Sequence, residues 1–225
     1  LRAVIVGERL SASLKLDLSR FEAADASLAD VKIDATIDQD AGVLKGVGSA
    51  SLGALEAGGA QLRNATASGA IEGAAIDSAM FSLGLWLAQV RTFDLNASTG
   101  EGSAPGFAWK SATLSAKVQP LPTGGSGGEL TFGADDIRTE QAIAGRFELT
   151  GAISVANGVL GQATGVARAR AVALTGPQRA AVGKAVSGPL ESVLPTFAEA
   201  ARLAIDRAAQ SFEVTAPWSA TASNA

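Results

Sequence analysis

Few residues in the chain have the types and spacing that chemistry requires. Gly124, Gly125, Ser126, Gly127 and Gly128 spell G-x-S-x-G, the pattern of a nucleophile elbow, in which a strained strand-to-helix turn presents a serine to an acyl carbon. That serine needs a base within hydrogen-bond reach, and the chain contains no His. The residues that follow read as a strand, so the pattern is expected to be a plain loop. Asp38, Asp40 and Gly42 in DQDAG space their carboxylates as at the start of a calcium loop, but Ser49 stands where the closing bidentate Glu belongs. A solvated turn is the expectation there. Asp135 and Asp136, with Glu140 nearby, read as another polar turn. GVGSASLG, from Gly46 to Gly53, fails the dinucleotide-binding spacing, and NAT at Asn64 and NAS at Asn96 are acceptor sequons only. No catalytic residue, metal ligand or cofactor site is assigned.

Composition points the same way. The 225 residues carry 18 Lys plus Arg and 22 Asp plus Glu, a net charge of -4. The charges alternate in sign and form no basic stripe, which argues against nucleic acid as a partner. There is no Cys, His or Tyr, so disulfides, thiolate metal sites and the commonest general base are absent from the repertoire. The longest apolar stretch, AMFSLGLWLAQV at residues 79–90, is shorter than the roughly 20 residues that cross a bilayer as a helix; no transmembrane span is expected. The opening LRAVIVGERL lacks a charged-then-apolar leader, so any signal peptide or anchor is expected to have been removed or to lie outside this segment.

The dominant signal is alternation. In LSASLKLDLSRF, Leu10, Ala12, Leu14, Leu16 and Leu18 fall on one face and Ser11, Ser13, Lys15, Asp17 and Ser19 on the other, the pattern of a half-buried strand. Val31, Ile33, Ala35 and Ile37 repeat it. Phe81, Leu83, Leu85 and Leu87 alternate with Ser82, Gly84 and Trp86, predicting a strand covered on both faces. Further strands are expected at FDLNAST, ATLSAKV and ELTF, and at GRFELTGAISV, where Phe147, Leu149, Ile153 and Val155 share a face. LRNATASG and DLNASTGEG echo each other as strand-plus-turn units, a weak repeat. LPTGGSGGEL, from Leu121 to Leu130, reads as a hairpin tip or minor boundary. After Leu174 the period changes. Thr175 and Pro177 open a helix that SGP at 187–189 interrupts. Beyond it Leu190, Val193, Leu194, Phe197, Ala201, Ala204, Ile205 and Ala208 form one apolar stripe, with Arg202 and Asp206 spaced for a surface pair. SFEVTAPWSA returns to a strand.

The fold class expected is mainly β: a long curved antiparallel sheet with one face covered by a C-terminal amphipathic helix. Residues 1–174 form the sheet region, 175–210 the helical region and 211–225 a short strand and tail, together one domain. One helix is little cover for so long a sheet, which leaves either a closed dry core or an open apolar groove.

Long alternating strands rich in Ala, Ser, Thr and Gly, LxNAxxxG-like turns, no catalytic set and a terminal amphipathic helix together resemble the AsmA-like proteins, including the TamB and YdbH relatives of Gram-negative envelopes. The likeness covers about residues 10 to 170. It implies a periplasmic or cell-envelope protein that carries phospholipid or another apolar lipid in a groove. Bridge-like members are much longer, so this chain would be one segment or a small relative. The candidate lipid-binding residues are Leu14, Leu16, Leu18, Val31, Ile33, Ile37, Phe81, Leu83, Leu85, Leu87, Phe147, Leu149, Ile153 and Phe197. The alternative is a non-enzymatic structural or adhesive envelope β-domain with a closed core and protein partners.

Overall fold

The computed structural model describes residues 2–6, 9–74, 90–121, 126–156, 159–191 and 195–221. Among these residues thirteen strands form one antiparallel sheet. They are β1 (Arg2–Val6), β2 (Arg9–Ala23), β3 (Ala26–Asp40), β4 (Val43–Ala57), β5 (Ala60–Ala74), β6 (Val90–Thr99), β7 (Gly102–Ala104), β8 (Phe107–Trp109), β9 (Ser111–Pro120), β10 (Ser126–Thr139), β11 (Ala142–Ala156), β12 (Val159–Leu174) and β13 (Phe212–Thr221). Two helices, α1 (Gly176–Glu191) and α2 (Pro195–Ala208), lie between β12 and β13. Strand order follows chain order except that the short β7–β8 hairpin continues the sheet between β5 and β10, beside the β6–β9 pair.

Such a meander is what tight turns between alternating runs produce. At Ala41-Gly42 and Gly58-Gly59 both central residues have positive φ (47° and 78°, 55° and 81°), the conformation of the two-residue hairpin turn whose twist matches the strands. Pro120 pairs with Ser126, so β9 and β10 are neighbours and residues 126–130 of LPTGGSGGEL belong to β10; residues 122–125 lie outside the described residues. Gly124 and Gly125 lie outside the described residues, and Ser126 opens a strand, so the elbow pattern has no strand-to-helix setting. Asp40 pairs with Arg9 at 2.8 Å, while Asp38 stands opposite Lys45 across the ladder.

One feature crosses the whole sheet. In strand after strand the apolar period of two is broken once by a step of three: Leu18 to Phe21, Leu28 to Val31, Leu62 to Ala65, Ala134 to Ile137, Ala144 to Phe147, Ala169 to Val172. At these steps the ladders skip a pair, as between Leu18↔Val31 and Arg20↔Ala29. Asp30, Asn64, Asp136 and Ala171 adopt positive φ (53°, 52°, 51° and 50°). This is bulge geometry, with one extra residue re-aiming the side chains that follow. From β2 to β5 and from β10 to β12 both strands of each pair slip together, so register is preserved across the step; between β12 and β13 it shifts, at Ala169/Val172. Gly53 and Gly145 give the seam room: a Cβ on Gly53 would stand 2.9 Å from that of Asp30, and one on Gly145 3.1 Å from that of Ala171. The LRNATASG segment therefore lies inside β5, with Asn64 at the slip, and is not a strand-plus-turn unit.

The helices differ in detail from the periodicity. SGP does not interrupt α1, which runs through Pro189 to Glu191; a proline in the last turn forfeits a single backbone hydrogen bond. α2 packs against α1, and no strand packs comparably against either helix among the described residues; of the expected stripe Leu190 falls in α1, and Val193 and Leu194 lie outside the described residues. Ala198 is buried, and Ala201 and Ile205 are half-buried. Asp206 pairs across the helices with Arg179 at 3.5 Å, not with Arg202. The helical pair is tied to the sheet where the Leu174 N–H donates to the Ala209 carbonyl at 3.0 Å. No described helix is long and apolar enough to cross a membrane.

Candidate functional site

Register turns the alternation of separate strands into surfaces. Leu16 stands opposite Ile33, Ile33 opposite Ala50, and the row continues through Ala67, Ala97, Leu114, Phe132, Leu149, Ala167 and Ala216. At about 4.8 Å per strand the row spans about 43 Å along the pleat. Every member is apolar. The flanking rows contain Leu14, Leu18, Val31, Ile37, Phe147 and Ile153, so nine of the residues chosen from the sequence share one face. Phe81, Leu83, Leu85 and Leu87 lie outside the described residues. Phe197 belongs to α2.

Residue size shapes the surface. The middle of the row is small, Ala50, Ala67 and Ala97, while Ile33 on one side and Leu114 and Phe132 on the other are large. The result is a hollow of about 440 Å³ lined by Leu28, Val31, Ile33, Leu52, Leu62, Leu114 and Phe132 over an alanine floor. One hollow touched by both β3 and β10, which stand five ladder steps apart, requires the sheet to curl with its apolar face inward. Leu28 with Val31, and Leu62 with Ala65, line it together despite their odd spacing, which is the seam acting on side-chain direction. Among the described residues no helix residue lines it.

Toward β2 the same face stays open: Leu14, Leu16 and Ile37 remain 39, 43 and 42% exposed. Leu18, Val31, Ile33, Phe147, Leu149 and Ile153 are half-buried. Sequence reasoning brought Val31 and Ile33 into the hollow but missed Leu28, Leu52, Leu62, Leu114 and Phe132. Leu114 and Phe132 carried the usable signal, each on the apolar parity of a strand already recognised. Leu28 and Leu62 fall on the wrong parity until the slip is seen.

Two tryptophans fill glycine gaps. Trp109 lies over Gly102, and Trp218 over both Gly151 and Gly165, its Nε1–H donating to the Thr150 carbonyl at 3.2 Å. Phe132 and Phe147 meet at 6.1 Å between ring centroids, within the range of favourable aromatic pairs.

The opposite face is polar. Ser51, Thr66, Ser98 and Thr113 form one row, and Lys15–Asp34 and Lys45–Glu72 pair across strands at 3.1 and 3.3 Å. Arg146 reaches Glu148 at 2.7 Å and Asp135 at 3.1 Å, and the Ser111 hydroxyl donates to Asp135 at 2.9 Å. The hydrogen bond from Arg146 holds the Glu148 carboxyl below its ordinary range, and the same contact raises the Arg146 guanidinium. All these charges stand behind the apolar face, where they set which side faces water. Among the described residues no His, Cys, Asp and Glu cluster is arranged to hold a metal ion. No family model, curated protein or solved structure matches the chain.

Proposed function

We propose that the chain is a non-enzymatic lipid-binding or lipid-transfer domain of a Gram-negative envelope, holding the acyl chains of phospholipid or another apolar lipid in the curved apolar trough. The observation that carries this reading is the hollow of about 440 Å³ between β3 and β10 on a face whose transverse rows are apolar. A volume of that order is typical of small-molecule sites, and apolar surface left to water at this extent favours an apolar occupant. Binding is driven by area, at roughly 25 cal/mol per Å² removed from water. It needs no directional group, which suits a row from Leu16 to Ala216 in which every member is apolar. The periplasmic or envelope setting follows from the resemblance to AsmA-like proteins.

The test is organic extraction of the purified chain followed by mass spectrometry, with native mass spectrometry of the same sample for stoichiometry. The expected result is phospholipid at a reproducible ratio. A lipid-free chain that also takes up no added lipid overturns the proposal and moves the reading to a structural or adhesive envelope domain, whose partners would meet the open edges at β1 and β13.

A further inference from the structure

We propose that a second hollow, on the polar face at the β7–β8 hairpin, binds the phosphate group of a polyol phosphate ester. The hollow measures about 410 Å³ and is built by register. Gln61 stands opposite Ser103, Ser103 opposite Ala108, and Ala108 opposite Arg138. Arg63, Glu101, Lys110 and Asp136 complete its lining. Ser103 and Ala108 are short and make the floor; Arg63, Lys110 and Arg138 are long and make the rim.

The charges are unevenly satisfied. Lys110 lies 3.8 Å from Asp136, so those two offset each other. Among the described residues neither Arg63 nor Arg138 has an ion-pair partner. Two guanidinium forks without an ion-pair partner stand on the rim, and guanidinium forks match the oxygens of phosphate in pairs. Gln61 and Glu101 add acceptors for hydroxyls on the esterified alcohol. The inference does not rest on the apolar trough, which opens on the other face.

The experiment is titration of the full chain with glycerol 1-phosphate at constant ionic strength, by calorimetry and by amide NMR. Comparison variants are Arg63→Gln and Arg138→Gln, both at exposed residues, and Lys45→Gln as a distant control. Saturable binding is expected in the unaltered chain and in Lys45→Gln, with the backbone amide resonances of Arg63, Ser103 and Arg138 moving. Each arginine variant is expected to bind about tenfold more weakly or worse, the loss of one charge-assisted contact, with an unchanged melting temperature. No saturable binding beyond that of chloride, or binding that both arginine variants retain in full, overturns the proposal. Flotation with phosphatidylglycerol and phosphatidylcholine vesicles separates the sources of the phosphate. Arginine-dependent capture by phosphatidylglycerol alone assigns a lipid headgroup, and vesicle indifference with retained glycerol phosphate binding assigns a soluble ester.

Discussion

Ala171 holds φ at 50° on β12, in the left-handed region that costs an L-residue with a Cβ roughly 1–2 kcal/mol. Asn64 does the same at 52° but belongs to the type that tolerates it. Ala171→Gly is therefore expected to stabilise the chain by about 0.5 kcal/mol, the relief exceeding the added entropy of the unfolded glycine; urea denaturation measures it. Glu148 supplies a pH-dependent term. Its carboxyl titrates below its ordinary value because Arg146 donates to it, so its contribution is present above the unfolded-state pKa and is lost as pH falls through the lower folded value. Arg146 is shifted the other way, upward, and stays charged throughout that window. Stability should fall on acidification through the carboxylate range, and Glu148→Gln should flatten that limb; denaturation midpoints at a series of acidic pH values decide it. Neither effect is legible in sequence. Arg146 and Glu148 are visible as an i, i+2 pair on one strand face, whereas Asp135 joins them only through the β10–β11 register.

At the scale of elements, alternation read the strands well where the two faces contrast: β2, β3, β6, β9, β10, β11 and β13 were all visible as period-two runs. β4 and β5 were softer because the trough floor is alanine and glycine, which carry little hydrophobic contrast. Glycine on the apolar face looks like a weakness in a strand, yet here it is the counterpart of an aromatic ring from a neighbour. A Cβ on Gly151 would lie 2.4 Å from the Trp218 ring, so Gly151→Val should displace Trp218 and loosen β13. The expected cost is about 2 kcal/mol, in the range of overpacking, read as a lowered denaturation midpoint with faster amide exchange confined to β12 and β13. Gly176→Val, with open space around the glycine, is the comparison. Of the stripe expected here, Ala201 and Ile205 are half-buried while Ala204 and Ala208 are exposed, and the element that packs against α2 is α1. A stripe specifies that something must cover it, not what.

For the whole molecule, the trough depends on small residues where a flat sheet would tolerate large ones. Ala97→Phe should occupy the floor and lower the lipid-to-protein ratio by about half or more without placing a charge among apolar neighbours. Ile33→Asp, from the trough wall, and Leu16→Asp, at its open side, should lower it too. Lipid ratios from extraction, with circular dichroism to confirm folding, test all three. If the two aspartates unfold the chain while Ala97→Phe leaves the ratio unchanged, the face is core and not a groove. Composition and alternation by themselves determined that this chain is mainly β, that its strands have one apolar and one polar side, and that a helical segment precedes the last strand, because these follow from the two-residue period and its replacement by three-and-four spacing. Only the tertiary structure decided that the apolar positions of ten strands align in unbroken rows, that the sheet curls around an alanine floor, and that a seam of paired bulges re-aims the side chains of nearly every strand. Those outcomes depend on register and on correlated slips in neighbouring strands, and no single strand's pattern contains its neighbour's phase.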